Sequence, residues 1–121
     1  NNKVDDMIEI RVSNQIGAAD IWVLPDVETN RKTTVWGEAT VSRSTPLDGE
    51  EICVTIPAES EQYLFRMIDT DEMYYEVDGV ALEAGQSLVI REGEGDMTAV
   101  VEVYDAERML LAEYPVFMAR L

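Results

Sequence analysis

Alternation of apolar and polar residues with a period of two constrains the fold of this chain more than any other feature. Near the start, Ile8, Ile10 and Val12 alternate with charged or polar residues. Successive side chains of a β-strand point to opposite faces, so this pattern predicts strands with one buried face. The predicted strands cover residues 8–13, 21–24, 51–56, 62–68, 73–77, 87–91, 98–104 and 109–117.

Turn-forming residues separate these segments. Pro25 and Pro57 cannot donate to a strand ladder, so each should end a strand. Proline, glycine, asparagine and aspartate set the backbone angles that turns require. They predict turns or loops at 14–17, 45–49, 69–72, 78–79, 84–85, 92–96 and 105–108. Residues 28–32 should form a loop with room for one helical turn, and 33–41 show no clear pattern.

Eight or nine short strands separated by turns predict an all-β fold, specifically an antiparallel β-sandwich of Ig-like or C2-like type. The 121 residues are enough for one domain with its own core, so we expect a single domain over 1–121. Residues 97–121 should add a C-terminal hairpin, or a strand plus a short helix. A helix over 105–114 would use Asp105 as its N-cap. The strand is favoured because the apolar run continues through Pro115 to Phe117.

The chain contains no histidine and only one cysteine, Cys53. It therefore lacks the residues of a Ser-His-Asp or Cys-His nucleophile system, of a His/Cys zinc site and of an internal disulfide. Cys53 lies on the strand face opposite Ile52, Val54 and Ile56, which predicts a quiet, partly covered thiol. We accordingly expect no catalytic residues and no enzyme activity.

The charge is strongly unbalanced: 25 acidic residues oppose 9 basic ones, for a net charge of −16. Such a surface repels phosphate backbones and anionic headgroups, so neither nucleic-acid binding nor direct membrane insertion is expected. The acidity indicates solubility, or a host whose proteins are generally acidic, or alternatively a cationic partner, including divalent ions.

Carboxylates crowd two of the predicted loops. Ca²⁺ takes about six to eight oxygen ligands, often from clustered Asp and Glu side chains. Loops at one end of a sandwich can converge, which makes these carboxylates a candidate Ca²⁺ site; the alternative is a pair of solvated acidic loops. The spacing does not match an EF-hand. The candidate metal ligands are Asp69, Asp71, Glu72, Glu94 and Asp96.

Aromatic residues provide a second candidate site. Trp22 lies among Ile21, Val23 and Leu24, which predicts a core position. Trp36 lies among polar residues and is the candidate ligand-binding residue, with the alternative that it caps one end of the core.

Three sequence blocks between Ile8 and Arg91 resemble a family of small exported bacterial β-sandwich domains of uncharacterised function. They match the family's asparagine-glycine turn, its Trp-Gly loop and its strand ending in an aspartate-led hairpin. The blocks are 10–17 with Ile21, 36–38 with 46–50, and 63–69 with Tyr74 or Tyr75 and 79–82. The sequence departs from the family at 71–73, where the usual hairpin glycine is missing, and 97–121 lie outside the resemblance.

That resemblance implies an extracytoplasmic location, either secreted or lipid-anchored, and supplies no catalytic residues. Together with the composition, it predicts a non-catalytic, exported or surface-attached binding or structural module, whose partner is an unidentified protein or surface glycan. Two alternatives are a C2-like Ca²⁺-dependent binding domain and a small carbohydrate-binding or hydrolytic domain.

Overall fold

The alternating segments form strands in the computed structural model, which describes residues 6–16, 19–33, 36–42, 51–69, 71–95 and 98–118. Eight strands and one short helix occur within these residues, which confirms the all-β class. The elements are β1 (Met7–Asn14), β2 (Ala19–Pro25), α1 (Glu28–Lys32), β3 (Glu51–Pro57), β4 (Gln62–Asp69), β5 (Tyr74–Ala81), β6 (Ser87–Glu92), β7 (Thr98–Tyr104) and β8 (Leu110–Met118). No described helix is long or apolar enough to cross a lipid bilayer.

Hydrogen-bonded ladders join the eight described strands into one sheet, in the order β2-β4-β5-β8-β7-β6-β1-β3. The sheet curls until its edge strands, β2 and β3, contact each other, so it is nearly closed. The β1–β6 pair is parallel, and the other described ladders are antiparallel. The sequence predicted a sandwich of two sheets, and the continuous ladders do not confirm it. Alternation identifies a buried face but not the neighbour of each strand.

The hydrophobic core fills the inside of the curled sheet. The predicted alternation is confirmed at 9–12 of β1, where Ile10 and Val12 are buried while Glu9 and Arg11 are exposed, but it ends at Ser13, which is also buried. The largest fully buried side chains belong to several strands and include Ile10, Ile21, Ile56, Tyr63, Phe65, Met67, Leu88 and Ile90. The Tyr63 hydroxyl donates to the Pro57 carbonyl oxygen (2.8 Å), so this buried phenol has a partner.

The predicted turn at 78–79 is wrong, because both residues lie inside β5. The register shifts between Tyr63 and Phe65, which pair with Val80 and Val77, so Leu64 faces two residues of β5 rather than one. Gly79 has φ +72°, the conformation that a bulge residue of this kind adopts. The Asp78-Gly79 pair therefore predicted the left-handed backbone conformation of Gly79 correctly, but it did not predict that the strand continues through it.

The C-terminal region is the predicted hairpin, and the helix alternative over 105–114 is wrong. The Asp105 carboxylate accepts hydrogen bonds from the backbone N–H groups of Glu107 and Met109, both at 2.9 Å. Asp105 thus organises a tight turn between β7 and β8 instead of capping a helix. The seven pairs between β7 and β8 explain why tertiary pairing overrides the helix propensity of the segment.

Two smaller expectations have separate outcomes. The turn predicted at 14–17 is confirmed in its described part, where the Ile16 N–H donates to the Asn14 side chain (3.2 Å); Gly17 lies outside the described residues. Cys53 points away from the core, as its position in the alternation predicted, but the side chain is exposed rather than partly covered. The turn predicted at 45–49 lies outside the described residues.

Candidate functional site

The outer face of β2, β4 and β5 carries a row of large side chains. Trp22 of β2 pairs in register with Arg66 of β4, which pairs with Glu76 of β5. Ile68 and Tyr74 form the next pair on the same face. These positions alternate with core residues, so their side chains point away from the sheet interior. Five successive residues of β4, 63–67, are buried. Because successive side chains point to opposite faces, both faces of β4 are covered by other parts of the chain.

The chain between β2 and β3 supplies that cover. Val41 forms an antiparallel bridge with Ile21, with N···O distances of 2.8 and 3.0 Å. The Thr40 hydroxyl accepts from the Val23 N–H (3.0 Å), and the Trp22 indole N–H donates to the Gly37 carbonyl (3.1 Å). We call residues 26–33 and 36–42 the covering segment. It provides hydrogen-bond partners for backbone groups at the free edge of β2 and lies across the outer face of that strand.

Arg66 joins the covering segment to the sheet. Its side chain is only 4% exposed, and its Nε donates to Glu76 Oε2 at 2.8 Å. The other two guanidinium nitrogens donate to the carbonyl oxygens of Asn30 (3.1 Å) and Arg31 (3.4 Å) near the end of α1. Carbonyls at a helix C-terminus lack partners within the helix, so the cation stabilises them. Arg66 is thus a buried, fully hydrogen-bonded charge rather than a free one.

Trp36 packs on top of this arrangement. Its ring lies 5.2 Å from that of Trp22 in an edge-to-face contact and 5.3 Å from that of Tyr74 in a stacked contact. The Arg66 guanidinium carbon lies 4.8 Å from the Trp36 ring centroid, within range of a cation–π interaction. The indole N–H donates to the Thr33 carbonyl (3.1 Å). The orientation of Trp36 is therefore fixed by two aromatic rings, one guanidinium group and one hydrogen bond.

The half-buried indoles of Trp22 and Trp36 border an open groove of about 660 Å³. We call it the aromatic groove. Its floor includes Arg66, Tyr74 and Glu76, and the end of α1 forms one wall. Burial raises the pKa of the Tyr74 phenol, and the Glu76 carboxylate raises it further, although Arg66 acts in the opposite direction. Tyr74 consequently remains protonated and neutral at physiological pH.

Asp26 provides a second anchor for α1. Its side chain is 3% exposed and accepts from Arg31 Nε and Nη2 and from the Gly79 N–H, the last at 3.0 Å. Hydrogen bonding from Arg31 is the main reason that the Asp26 pKa lies below its ordinary value of 3.8; burial opposes this effect, and Gly79 reinforces it. The bulge in β5 therefore directs a backbone donor outward to the covering segment.

The structure places the two predicted aromatic residues side by side. Trp36 lines the aromatic groove, as its candidate role requires. The core position predicted for Trp22 is wrong, because Ile21 and Val23 face inward on this strand and Trp22, between them, faces outward. Apolar neighbours indicated a buried strand correctly, but the period of two places Trp22 on the opposite face.

Unlike the two tryptophans, the candidate Ca²⁺ ligands are not shown to form one site. Asp69 accepts from the backbone N–H groups of Asp71 and Met73, each at 2.9 Å, so its carboxylate organises the β4–β5 turn. Burial and the charges of Asp69, Asp71 and Glu92 raise the pKa of the Tyr75 phenol. The pairs Tyr75–Met118, Thr98–Phe117 and Glu92–Ala99 show that the two acidic loops lie at the same end of the sheet. Within the described residues, no group of three or more potential ligands has an arrangement that could hold a metal ion.

Two further ligands of that prediction, Glu72 and Glu94, are exposed, and Asp96 lies outside the described residues. Glu72 has φ +63°, a turn conformation. The five-carboxylate site therefore stays a prediction, and the structure shows a turn-forming role for Asp69.

Sequence reasoning missed Arg66, Tyr74 and Glu76. A signal for Arg66 was present, since it is the one charged residue within 63–68, in an otherwise apolar strand. A cation in such a position is stable only with a partner close by. Nothing in the sequence indicated that its partners would be Glu76 and the end of α1.

Searches of family models, curated protein sequences and solved structures found no match to this chain. The resemblance to exported bacterial β-sandwich domains therefore stays a prediction.

Proposed function

We propose that this protein is a non-catalytic binding module and that the aromatic groove contacts its ligand, a neutral carbohydrate chain. The observation that carries the proposal is the fixed orientation of Trp36, which Trp22, Tyr74 and Arg66 hold at the border of an open groove. A rigid aromatic side chain offers a flat apolar surface at low entropic cost. The C–H faces of sugar rings stack on such surfaces.

Polar groups around the indoles support the same ligand class. Arg31, Lys32 and Glu76 border the aromatic groove and can donate to or accept from sugar hydroxyls. Arg66 and Arg31 are already paired with Glu76 and Asp26, so the groove has mixed polarity rather than one strong charge. A few polar groups around an apolar surface are typical of small-ligand sites.

A binding role without catalysis agrees with the chemistry of the groove. The sequence contains no histidine, and the Glu76 carboxylate in the groove is paired with Arg66 at 2.8 Å. A glycoside hydrolase requires two carboxyl groups on either side of the bond that is cleaved. Glu76 is the acidic residue that the described lining of the aromatic groove provides.

We further propose that the module is exported or surface-attached. We also propose that the two parts of its curled sheet pack face to face, as the two layers of a β-sandwich do. The first proposal is supported by the sequence resemblance alone. The second is supported by the described part of the β5–β8 ladder, where two pairs, Tyr75–Met118 and Glu76–Phe117, lie at one end and residues 77–81 of β5 have no ladder partner in β8. So short a connection divides the sheet into β2-β4-β5 and β8-β7-β6-β1-β3. Protease treatment of intact source cells tests the location.

Isothermal titration of the protein with neutral oligosaccharides such as cellohexaose, chitohexaose and xylohexaose tests the proposed ligand class. We expect one of these sugars to bind with a millimolar or better dissociation constant and to change the tryptophan fluorescence. Trp36→Ala should weaken that binding about tenfold or more, since it removes the stacking surface. Tyr104→Ala, which removes a half-buried aromatic side chain from distant β7, should leave the affinity unchanged.

Thermal unfolding of both variants verifies that they are folded at the temperature of the titration. The absence of binding to every sugar, or equal affinity of the wild type and Trp36→Ala, would contradict the proposed function.

A further inference from the structure

A cleft separates β5 from β8 on the side of the molecule away from their short ladder. The two strands pair at Tyr75–Met118 and Glu76–Phe117 and then diverge, so the described ladder does not extend to the first half of β8. At the far end, the Ala81 N–H donates to the Tyr114 hydroxyl (3.3 Å). A side chain thus supplies an acceptor that a neighbouring strand would supply in a continued ladder.

The cleft borders the hydrophobic core. It has a volume of about 550 Å³, and its lining includes the buried core residues Leu82 and Val103. Leu111, 52% exposed, forms part of the rim because the β7–β8 register shifts at this point, between Val103 and Tyr104. Leu110, 49% exposed, lies beside it. The edge of β8 therefore combines backbone available for pairing with exposed apolar side chains, a combination typical of sites for strand addition.

Carboxylates border the same cleft. Glu61 and Glu83 both line it, and both are exposed. Among the residues that the structure describes, neither forms an ion pair with a cation. Their charges add to the overall charge of −16, so a cationic ligand is attracted to this position.

We propose that the cleft between β5 and β8 binds an extended, cationic segment of a partner protein. The segment adds a strand along the first half of β8, inserts one apolar side chain towards Leu82 and Val103, and places lysine or arginine side chains at Glu61 and Glu83. A second copy of this chain is a poor occupant, because it brings another charge of −16 to the interface. This site is separate from the aromatic groove, so the proposal does not depend on the carbohydrate function.

Fluorescence anisotropy with a labelled peptide of alternating lysine and valine tests the proposal. We expect saturable binding at moderate salt, and the double variant Glu61→Lys/Glu83→Lys should weaken it about tenfold or more. The matched control is Glu28→Lys/Glu38→Lys, which changes the net charge equally at exposed positions in the covering segment. The control should keep most of the affinity, because the effect of a distant exposed charge is screened.

Two further peptides distinguish strand addition from simple charge attraction. A peptide with N-methyl groups on alternate amides keeps its charge but loses ladder donors, so it should bind about tenfold more weakly. A glutamate-valine peptide should not bind. Equal affinity of the methylated and unmethylated peptides, or equal losses in the two double variants, would overturn the proposal. Sedimentation showing a dimer that dissociates when the peptide binds would assign the cleft to a second copy and overturn the proposal as well.

Discussion

The outer faces of the two halves of the sheet contain the same type of ion pair in opposite environments. On the covered face, Arg66 and Glu76 are 2.8 Å apart, and the arginine side chain is 4% exposed. On the bare face of β6, β7 and β8, Arg91 and Glu102 are also 2.8 Å apart, but that arginine is 37% exposed. Distance alone therefore does not distinguish the two pairs. Burial does, because a desolvated charge depends on its partners and a solvated one does not.

The covered face also differs in what its ion pairs connect. Arg66 and Asp26 link residues that are far apart in the sequence, since they hold α1 against β4 and β5. Arg91 links β6 with the neighbouring strands β7 and β8, which already pair along their backbones. The ion pairs of Arg66 and Asp26 hold a separate segment in place, whereas those of Arg91 lie on strands that are already paired through their backbones.

Arg66→Ala should give the largest effect on stability. It leaves Glu76 and two carbonyls at the end of α1 without their donor and removes a contact below Trp36, so we expect a loss of about 3 kcal/mol in the free energy of unfolding. Arg91→Ala is the matched variant on the bare face and should change stability far less, because solvent screens that pair. Urea unfolding, followed by circular dichroism, measures both values.

Hydrogen exchange in the same two variants shows which parts of the protein lose stability. Arg66→Ala should speed the exchange of amides in the covering segment and in β2 more than in β7. Losses of equal size in the two variants would show that burial does not separate the two ion pairs.

Asp26→Asn should have an intermediate effect that depends on pH. The pKa of Asp26 is lower in the folded protein than its ordinary value of 3.8, mainly because of Arg31, so its ionised form stabilises the fold above that pH. The difference in stability between the wild type and the variant should be largest at neutral pH. It should shrink as the pH falls through the lowered pKa and the wild-type carboxyl becomes protonated.

Urea unfolding at a series of pH values tests this dependence, with Asp71→Asn as an exposed control from a different loop. A difference that stays constant down to strongly acidic pH would contradict an electrostatic role for Asp26.

Phe117→Ser should have the smallest effect. Phe117 lies on the outer face of β8 next to Glu76, but its side chain is 60% exposed, so we expect a change within about 0.5 kcal/mol. Leu64→Ser, at a buried position on the outer face of β4, is the comparison on the covered face and should cost several times more. Thermal unfolding of the two variants is sufficient, and similar midpoints would mean that the covering segment buries Leu64 without stabilising the protein.

Much of the secondary structure could be predicted from the sequence, because strand alternation and turn chemistry are local. The turn at Asp105 and the end of β3 at Pro57 followed from side chains that act within a few residues. The prediction at 78–79 was wrong, because a left-handed glycine occurs both in turns and in bulges. Only the pairing of β4 with β5 decides between these two outcomes.

The candidate site could be predicted only in part. Trp36 was identified because an aromatic residue among polar neighbours is unusual, but its contacts with Trp22, Tyr74 and Arg66 bring together three strands and the covering segment. Trp22 was assigned to the core because its neighbours are apolar, and the second buried face of β4 was not foreseen. Long-range packing creates that face, so no local pattern encodes it.

By itself, the sequence determined the all-β class, the approximate positions of the strands apart from the second half of β5, and the absence of histidine chemistry. These features depend on side-chain type and on the two-residue repeat of an extended chain, which each segment carries on its own. Only the tertiary structure decided the order of the strands, the second covered face and the cleft between β5 and β8. The physical reason is that strand neighbours and buried ion pairs are chosen by the free energy of the whole assembly, in which residues such as Asn30 and Arg66 meet across 36 positions of the chain.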